Sequence, residues 1–205
     1  MRRNAVLISI RPKWVEKIAS GEKTVEVRKT RPSIETPFKC YIYCTKAVGR
    51  YWTACCCQIR EDDLWKSNTG KVEFNDGFEY WGHGVIGKCH RLNGKVVGEF
   101  VCDLVCEVIP QKEKCKTGYF VNQYLFENLK HGEGNPCLTF EELRDYLGDN
   151  IGYAWRISDL KIYDKPKSLR KVIVDSYLVD LGRSKIFEHA KRPPQSWCYI
   201  EGVEE

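Results

Sequence analysis

The chain has 205 residues, 42% of them hydrophobic and 30% charged, with a net charge of +5, which fits an ordinary soluble globular protein. Its longest apolar runs are only of strand length, which excludes a membrane-spanning helix. The N-terminal MRRNAVLISIRPKW lacks the long apolar core and small-residue cleavage site of a secretory signal, so the expected compartment is the cytoplasm.

Residues 6–10 (VLISI) read as a short apolar strand. Pro12 then opens a helix over 12–20, with Trp14, Val15 and Ile18 at helical spacing and Gly21 as its stop. From Lys23 the period changes to two: Val25 and Val27 point one way, Thr24, Glu26 and Arg28 the other. Pro32 and Pro37 bracket a loop, and FKCYIYC (38–44) is a strand with Tyr41 and Tyr43 opposite its core-like face. Residues 45–93 carry the turn signals NTG, NDG and GHG and read as hairpins or a polar insertion. Residues 94–109 form a long strand or strand pair, with Val96, Gly98, Phe100, Cys102, Leu104, Cys106 and Val108 on one apolar face and a bulge or bend at Gly98. A helix is expected over 122–130, and a second begins at Thr139, where Glu142 completes a capping box and Leu143 and Leu147 face inward. Residues 153–163 are a strand, 164–185 are basic and irregular around the apolar run 172–174, and 196–200 close the chain as a strand. The fold class is therefore α+β: a small, open, mixed β-barrel with short peripheral helices and a polar insertion.

Charge is unevenly spread. Residues 1–31 hold nine Lys/Arg against three Glu, a net of +6; residues 161–193 hold nine against four acids, +5; residues 61–110 hold five against nine, −4. If the two basic segments meet, they make one basic face suited to phosphate backbones; solvated lysines are the other reading. The 11 cysteines are an odd number without CxxC spacing, which points to reduced buried thiols. Cys40 with Cys44, and Cys102 with Cys106, are four apart on strands, roughly 13 Å, too far for one zinc whose bonds to sulfur are about 2.3 Å. His83, Cys89 and His90 make only a loose cluster. No metal or other cofactor is expected.

The stretch SGEKTVEVRK (20–29) concentrates the chemistry. Lys23, just after a tight turn, offers an ammonium with three donors. Glu26 on the next strand can fix it, and Arg28 on the same face adds a planar fork suited to phosphate. Lys23 and Glu26 together can do acid–base work if burial lowers the lysine pKa; a solvated ion-pair cluster is the plain alternative. Tyr43, Trp155 and Trp197 are candidates to stack a base, and Ser158, Ser196 and Arg156 to read its edge. Core packing is the competing role for each aromatic. Glu99 is the best-placed acid on the long strand, to accept from an exocyclic amine or to pair with Lys23 or Arg28.

VLISIRPKWVEKIASGEKTVEVRK resembles the opening signature of the ASCH domain, a branch of the PUA-like superfamily: a strand, a helix, then a Gly-x-Lys-x-x-Glu-x-Arg turn and strand. GKVVGEF, LTFEEL, GYAWRISD and SWCYIE match the order of elements in bacterial and prophage members. The likeness covers residues 5–44, 94–163 and 193–201. It leaves 45–93 and 164–192 as insertions in one domain spanning 1–205. It implies a PUA-like barrel whose cleft takes RNA, single-stranded nucleic acid or a modified nucleoside. Some members resembled are RNA-binding modules, some nucleases, and one small branch an amidohydrolase of acetylated cytidine. In that branch a turn lysine, a threonine three residues on and a distant glutamate form the active site. Lys23 matches the lysine; Glu26 stands where the threonine would be; Glu133 and Glu141 lie in the region of the distant acid. Two classes stay open: a binding module with Lys23, Glu26 and Arg28 at its cleft, and an enzyme with Lys23 and Glu26 as catalytic residues. A phage-encoded interaction protein with a decayed site is a third.

Overall fold

The computed structural model describes residues 5–46, 50–52, 58–60, 78–82, 85–89, 93–110, 119–121, 124–126, 134–179 and 184–204. The first apolar run lies in β1 (Ala5–Ile10), buried along its whole length. α1 (Pro12–Ala19) starts on Pro12 and buries Val15 and Ile18. Gly21 follows at φ +77°, a left-handed turn that glycine makes without a Cβ clash. The chain then enters β2 (Val25–Arg28) and β3 (Phe38–Cys44), which runs parallel to β1. The polar segment contributes two antiparallel hairpins, β4 (Arg50–Trp52) with β5 (Gln58–Arg60), and β6 (Phe78–Gly82) with β7 (Val85–Cys89). The chemistry expected of His83 and His90 lies outside the described residues.

The spine is a pair of long antiparallel strands, β8 (Lys95–Pro110) and, further along, β11 (Gly152–Ser168). Between them come β9 (Tyr119–Val121), β10 (Tyr124–Phe126) and α2 (Phe140–Leu147), and after them β12 (Val172–Val179), β13 (Ser184–His189), β14 (Trp197–Ile200) and β15 (Gly202–Val203). The main sheet runs β14-β1-β3-β8-β11-β2, with the β10–β9 hairpin on the far end of β8. Laid flat, the strand spacing would put β2 roughly 19 Å from β1. Yet Arg28 of β2 donates to the Ser9 carbonyl of β1 at 2.7 Å. The sheet is therefore rolled until its two edges nearly meet, a half-barrel that brings the start of the chain against its end.

Side-chain alternation sorts the core into three clusters. One face buries Val6, Ile8, Ile10, Cys40, Ile42, Cys44, Phe100, Cys102 and Trp155 with Val15 and Ile18 of α1. The opposite face near β2 packs Val25, Val27, Cys106, Val108 and Ala154 on Leu143 and Leu147 of α2. The opposite face near β1 packs Leu7, Tyr41, Tyr43 and Val96 on Val172 of the small sheet β13-β12-β15. α2 has the expected capping box: Thr139 Oγ1 accepts from the Glu142 amide at 3.2 Å, and Glu142 Oε2 accepts from the Thr139 amide at 3.1 Å. Among the described residues no helix is long and apolar enough to cross a membrane.

Three expectations are corrected. β8 does not keep one apolar face. Its pairing shifts register against β3 near Gly98 and against β11 between Cys102 and Val105. Val96 therefore faces the small sheet, Phe100 and Cys102 the main core, and Cys106 and Val108 the α2 side. Each bulge inserts one residue and so exchanges the two faces. The helix expected over 122–130 is contradicted at Tyr124–Phe126, where the backbone instead pairs as a strand on the end of β8, in a run of the residue types that favour strands; the rest of that segment lies outside the described residues. The basic stretch after 163 is largely regular: β11 continues to Ser168, a single 3-10 turn follows at Leu169–Lys171, and β12 and β13 form a hairpin.

Candidate nucleic-acid or nucleoside site

The turn after α1 aims Lys23 inward rather than to solvent. The side chain is only 2% exposed. Its Nζ donates to the Pro136 carbonyl at 2.6 Å, lies 3.3 Å from Glu26 Oε2, and sits 5.4 Å from the centre of the Trp14 ring. The residues around Pro136 are strapped to β2: the Asn135 carbonyl accepts from the Thr24 and Val25 amides, and the Asn135 amide donates to Thr24 Oγ1. Burial pushes the Lys23 ammonium below its usual pKa, with the Glu26 carboxylate opposing that shift.

β2 carries the next two charges on one face because they are two residues apart. Glu26 Oε1 lies 2.9 Å from Arg28 Nη2, and both side chains are nearly buried. Arg28 Nη2 also donates to the Ser9 carbonyl, and Nη1 reaches Ser196 Oγ at a long 3.5 Å. The result is a run of cation, anion, cation under the rolled sheet, with one positive charge in excess. In the β2–β11 register Glu26 lies opposite Trp155, and Arg28 opposite Tyr153. Trp155 is fully buried. Its ring packs edge-on to Phe38 at 5.7 Å and tilted against Trp197 at 5.8 Å; Trp197 in turn meets Tyr199 at 5.3 Å. Trp197 is half-buried and donates from Nε1 to the exposed Thr30 at 3.0 Å. Arg28 Nε and Trp155 Nε1 are buried without a hydrogen-bond partner among the described residues, and Glu26 Oε2 has only its ion pair with Lys23.

Of the residues singled out in the sequence, six come together here: Lys23, Glu26, Arg28, Trp155, Ser196 and Trp197. Three do not. Tyr43 is buried against the small sheet on the opposite face. Glu99 pairs neither with Lys23 nor with Arg28; its carboxylate takes Lys39 Nζ at 3.0 Å and the Tyr163 hydroxyl, which together hold its pKa down. Ser158 Oγ donates to the Val101 carbonyl at 2.8 Å. Its neighbour Arg156 forms a forked pair with Asp103 at 2.8 and 3.0 Å, which holds the Asp103 carboxyl below its usual range. Glu141 sits exposed in the first turn of α2, and Glu133 lies outside the described residues. Sequence reasoning passed over Ser9, Thr30 and the Pro136 carbonyl, and read Trp14 only as a residue of the first helix. Ser9 left a trace as the one polar residue in VLISI.

Cys40, Cys44, Cys102, Cys106, Cys137 and Cys198 are not joined in disulfides. Burial drives the thiol pKa of Cys44 and Cys102 up to about 12, which leaves them unreactive near neutrality. Among the described residues no group of three or more His, Cys, Asp or Glu is placed to hold a metal ion.

No family model matches the chain, and no curated protein sequence does. Solved structures do. The crystal structure of ASCH from Zymomonas mobilis aligns over 97% of this chain and 88% of its own, at 17% identity and a TM-score of 0.49. A tyrosine-to-phenylalanine mutant of that protein aligns over 96% and 89%, at 16% identity and a TM-score of 0.50. At such identity the likeness is one of fold: the rolled sheet with two short helices is an ASCH-type, PUA-like architecture.

Proposed function

We propose that this ASCH-type fold is a binding module for RNA, single-stranded nucleic acid or a modified nucleoside, with Lys23, Glu26 and Arg28 at its ligand site. Residues 1–205 act as one domain in this reading, with 45–93 and 164–192 as insertions. One observation carries it. Two cations and one anion are buried beside a tryptophan wall, and the charges are not balanced. Buried charge is costly unless it is paired, and the pairing here leaves one positive charge over. A phosphate or an electron-rich base edge supplies what is missing. Arg28 presents a planar fork for such a group, and Trp197 offers a half-buried ring for stacking, worth about 1–3 kcal/mol per base.

A second reading is favoured by the depressed Lys23 pKa. A lysine that gives up its proton below the usual range is a better base at neutral pH, as an acylated-cytidine amidohydrolase or a nuclease requires. Lys23 and Glu26 would then be the catalytic pair.

One experiment separates the two. The protein is incubated with labelled single-stranded RNA and with acetylcytidine, alongside a Lys23→Met variant. The binding reading expects complex formation that weakens as salt rises, with neither compound consumed. Acetate release or shortened RNA, abolished in the variant, would establish the enzyme instead. Absence of both binding and turnover would end both readings.

A further inference from the structure

The β12–β13 hairpin carries most of the large apolar side chains left open. Among the described residues Tyr177, Ile186 and Phe187 sit on it at 50%, 43% and 42% exposure, and Ile151 sits elsewhere. β13 is exposed at every residue from Ser184 to Glu188. It is the outer strand of its sheet, with β12 on one side and no described strand on the other. An open edge of unpaired N–H and C=O groups with apolar side chains is a template for another strand. The Ala190 amide donates to the Val172 carbonyl of β12 at 2.9 Å. Backbone groups alternate along an antiparallel strand, so Lys185, Phe187 and His189 turn theirs to the open side. The extra residue of the bulge near Ile173 lies on β12 and leaves that alternation intact. Lys185 does not guard the edge. Its Nζ is drawn back to 3.9 Å from Glu201 Oε2 and lies 5.1 Å from the centre of the Phe187 ring.

A second copy of the chain fits this edge, and charge selects the register. Two copies of β13 pair antiparallel about a two-fold axis only when one residue faces its own counterpart, because facing residues point to the same side of a sheet. Centred on Lys185 or on Glu188, the pairing sets like charges directly opposite, which is destabilising. Centred on Phe187, it sets Ile186 against the partner's Glu188 and Lys185 against the partner's His189. Centred on Ile186, it sets Ile186 against its counterpart, Lys185 against the partner's Phe187 and Ser184 against the partner's Glu188. No like charges then face each other. Tyr177 of β12 is the register partner of Ile186, so the two Tyr177–Ile186 pairs line up as one apolar row across both hairpins. On the other side of the sheet each lysine meets a phenylalanine ring, a cation–π contact. The open N–H and C=O groups of Lys185 and Phe187 exchange hydrogen bonds across the interface. We propose that this protein forms a two-fold dimer in which β13 pairs with β13 of a second copy, centred on Ile186. The strand is short, so the interface is small and the dimer weak.

Sedimentation equilibrium of the full chain, from about 1 to 100 µM, covers the range in which a small interface dissociates. A concentration-dependent monomer–dimer equilibrium is expected. Ile186→Lys puts two ammonium groups face to face on the axis and is expected to weaken the dimer at least about tenfold. Its urea midpoint should stay at the wild-type value, because the side chain it replaces is exposed. Ile186→Cys reads the register. Facing residues at that position have Cα atoms about 4.5 Å apart, within disulfide reach, so mild oxidation is expected to give a covalent dimer above the wild-type background. A monomer at every concentration, or a dimer that Ile186→Lys leaves intact, overturns the proposal. A dimer in which Ile186→Cys cross-links no more than wild type overturns the register.

Discussion

Glu26→Gln tests the physics of the site before any ligand is known. The carboxylate lies 3.3 Å from the Lys23 ammonium and 2.9 Å from the Arg28 guanidinium, and all three side chains are at most 10% exposed. At an effective dielectric near 20 each attraction is worth about 5–6 kcal/mol gross, most of it offset by desolvation. Glutamine keeps the shape and a carbonyl facing Arg28 but removes the charge, leaving two buried cations with no anion between them. The expected loss is about 3–5 kcal/mol, the usual cost of breaking a buried pair from one side. Urea unfolding followed by tryptophan fluorescence measures it as a fall in midpoint at constant slope. The double variant Lys23→Met, Glu26→Gln should recover at least about 1 kcal/mol of the sum of the two single losses, because removing one cation relieves the other. A single-variant loss under about 1 kcal/mol, typical of an exposed pair, or strict additivity in the double variant, would refute the buried-run account.

Lys23 also gives a pH signature. Its folded pKa is lowered from 10.5 by burial, so between the folded and unfolded values the unfolded chain binds more protons and stability rises with pH. The stability of wild type relative to Lys23→Met should therefore improve as pH climbs toward 10.5, and a flat difference would show the lysine is not desolvated. Gly98→Ala places a Cβ 2.5 Å from the Lys161 carbonyl oxygen, a backbone clash expected to cost about 1–3 kcal/mol in chemical denaturation. Thr139→Ala removes the side-chain half of the α2 capping box and should cost about 1 kcal/mol in the same assay.

The sequence made part of this legible for a physical reason. Glu26 and Arg28 alternate with Val25 and Val27, so a strand must put both charges on one side, and the glycine turn at Gly21 fixes where that strand begins. Trp155 and Trp197 were visible as strand aromatics, although nothing in their spacing said that the ends of the chain would meet. Other features were hidden. Gly98 marked the first face change of β8, but the second, between Cys102 and Val105, falls among apolar residues on both faces and leaves no mark on the pattern. Tyr43 looks available in a sequence that reads β12, whose Val172 packs on its face, as irregular chain, and Glu99 looks available because nothing in the pattern announces that Lys39 and Tyr163 on neighbouring strands take its carboxylate. Arg156 looked free to read a base, but its forked pair with Asp103 depends on a register set by one of those bulges. The Pro136 carbonyl that holds Lys23 is backbone, and no side-chain pattern announces it.

The most direct measurement is fluorescence anisotropy of a labelled single-stranded RNA titrated with wild type and with Arg28→Lys, at low and at near-physiological salt. The account predicts saturable binding that weakens with salt, and at least about tenfold weaker binding by the variant, which keeps the charge and loses the fork. Equal affinity for the two proteins, with both folded, would contradict it.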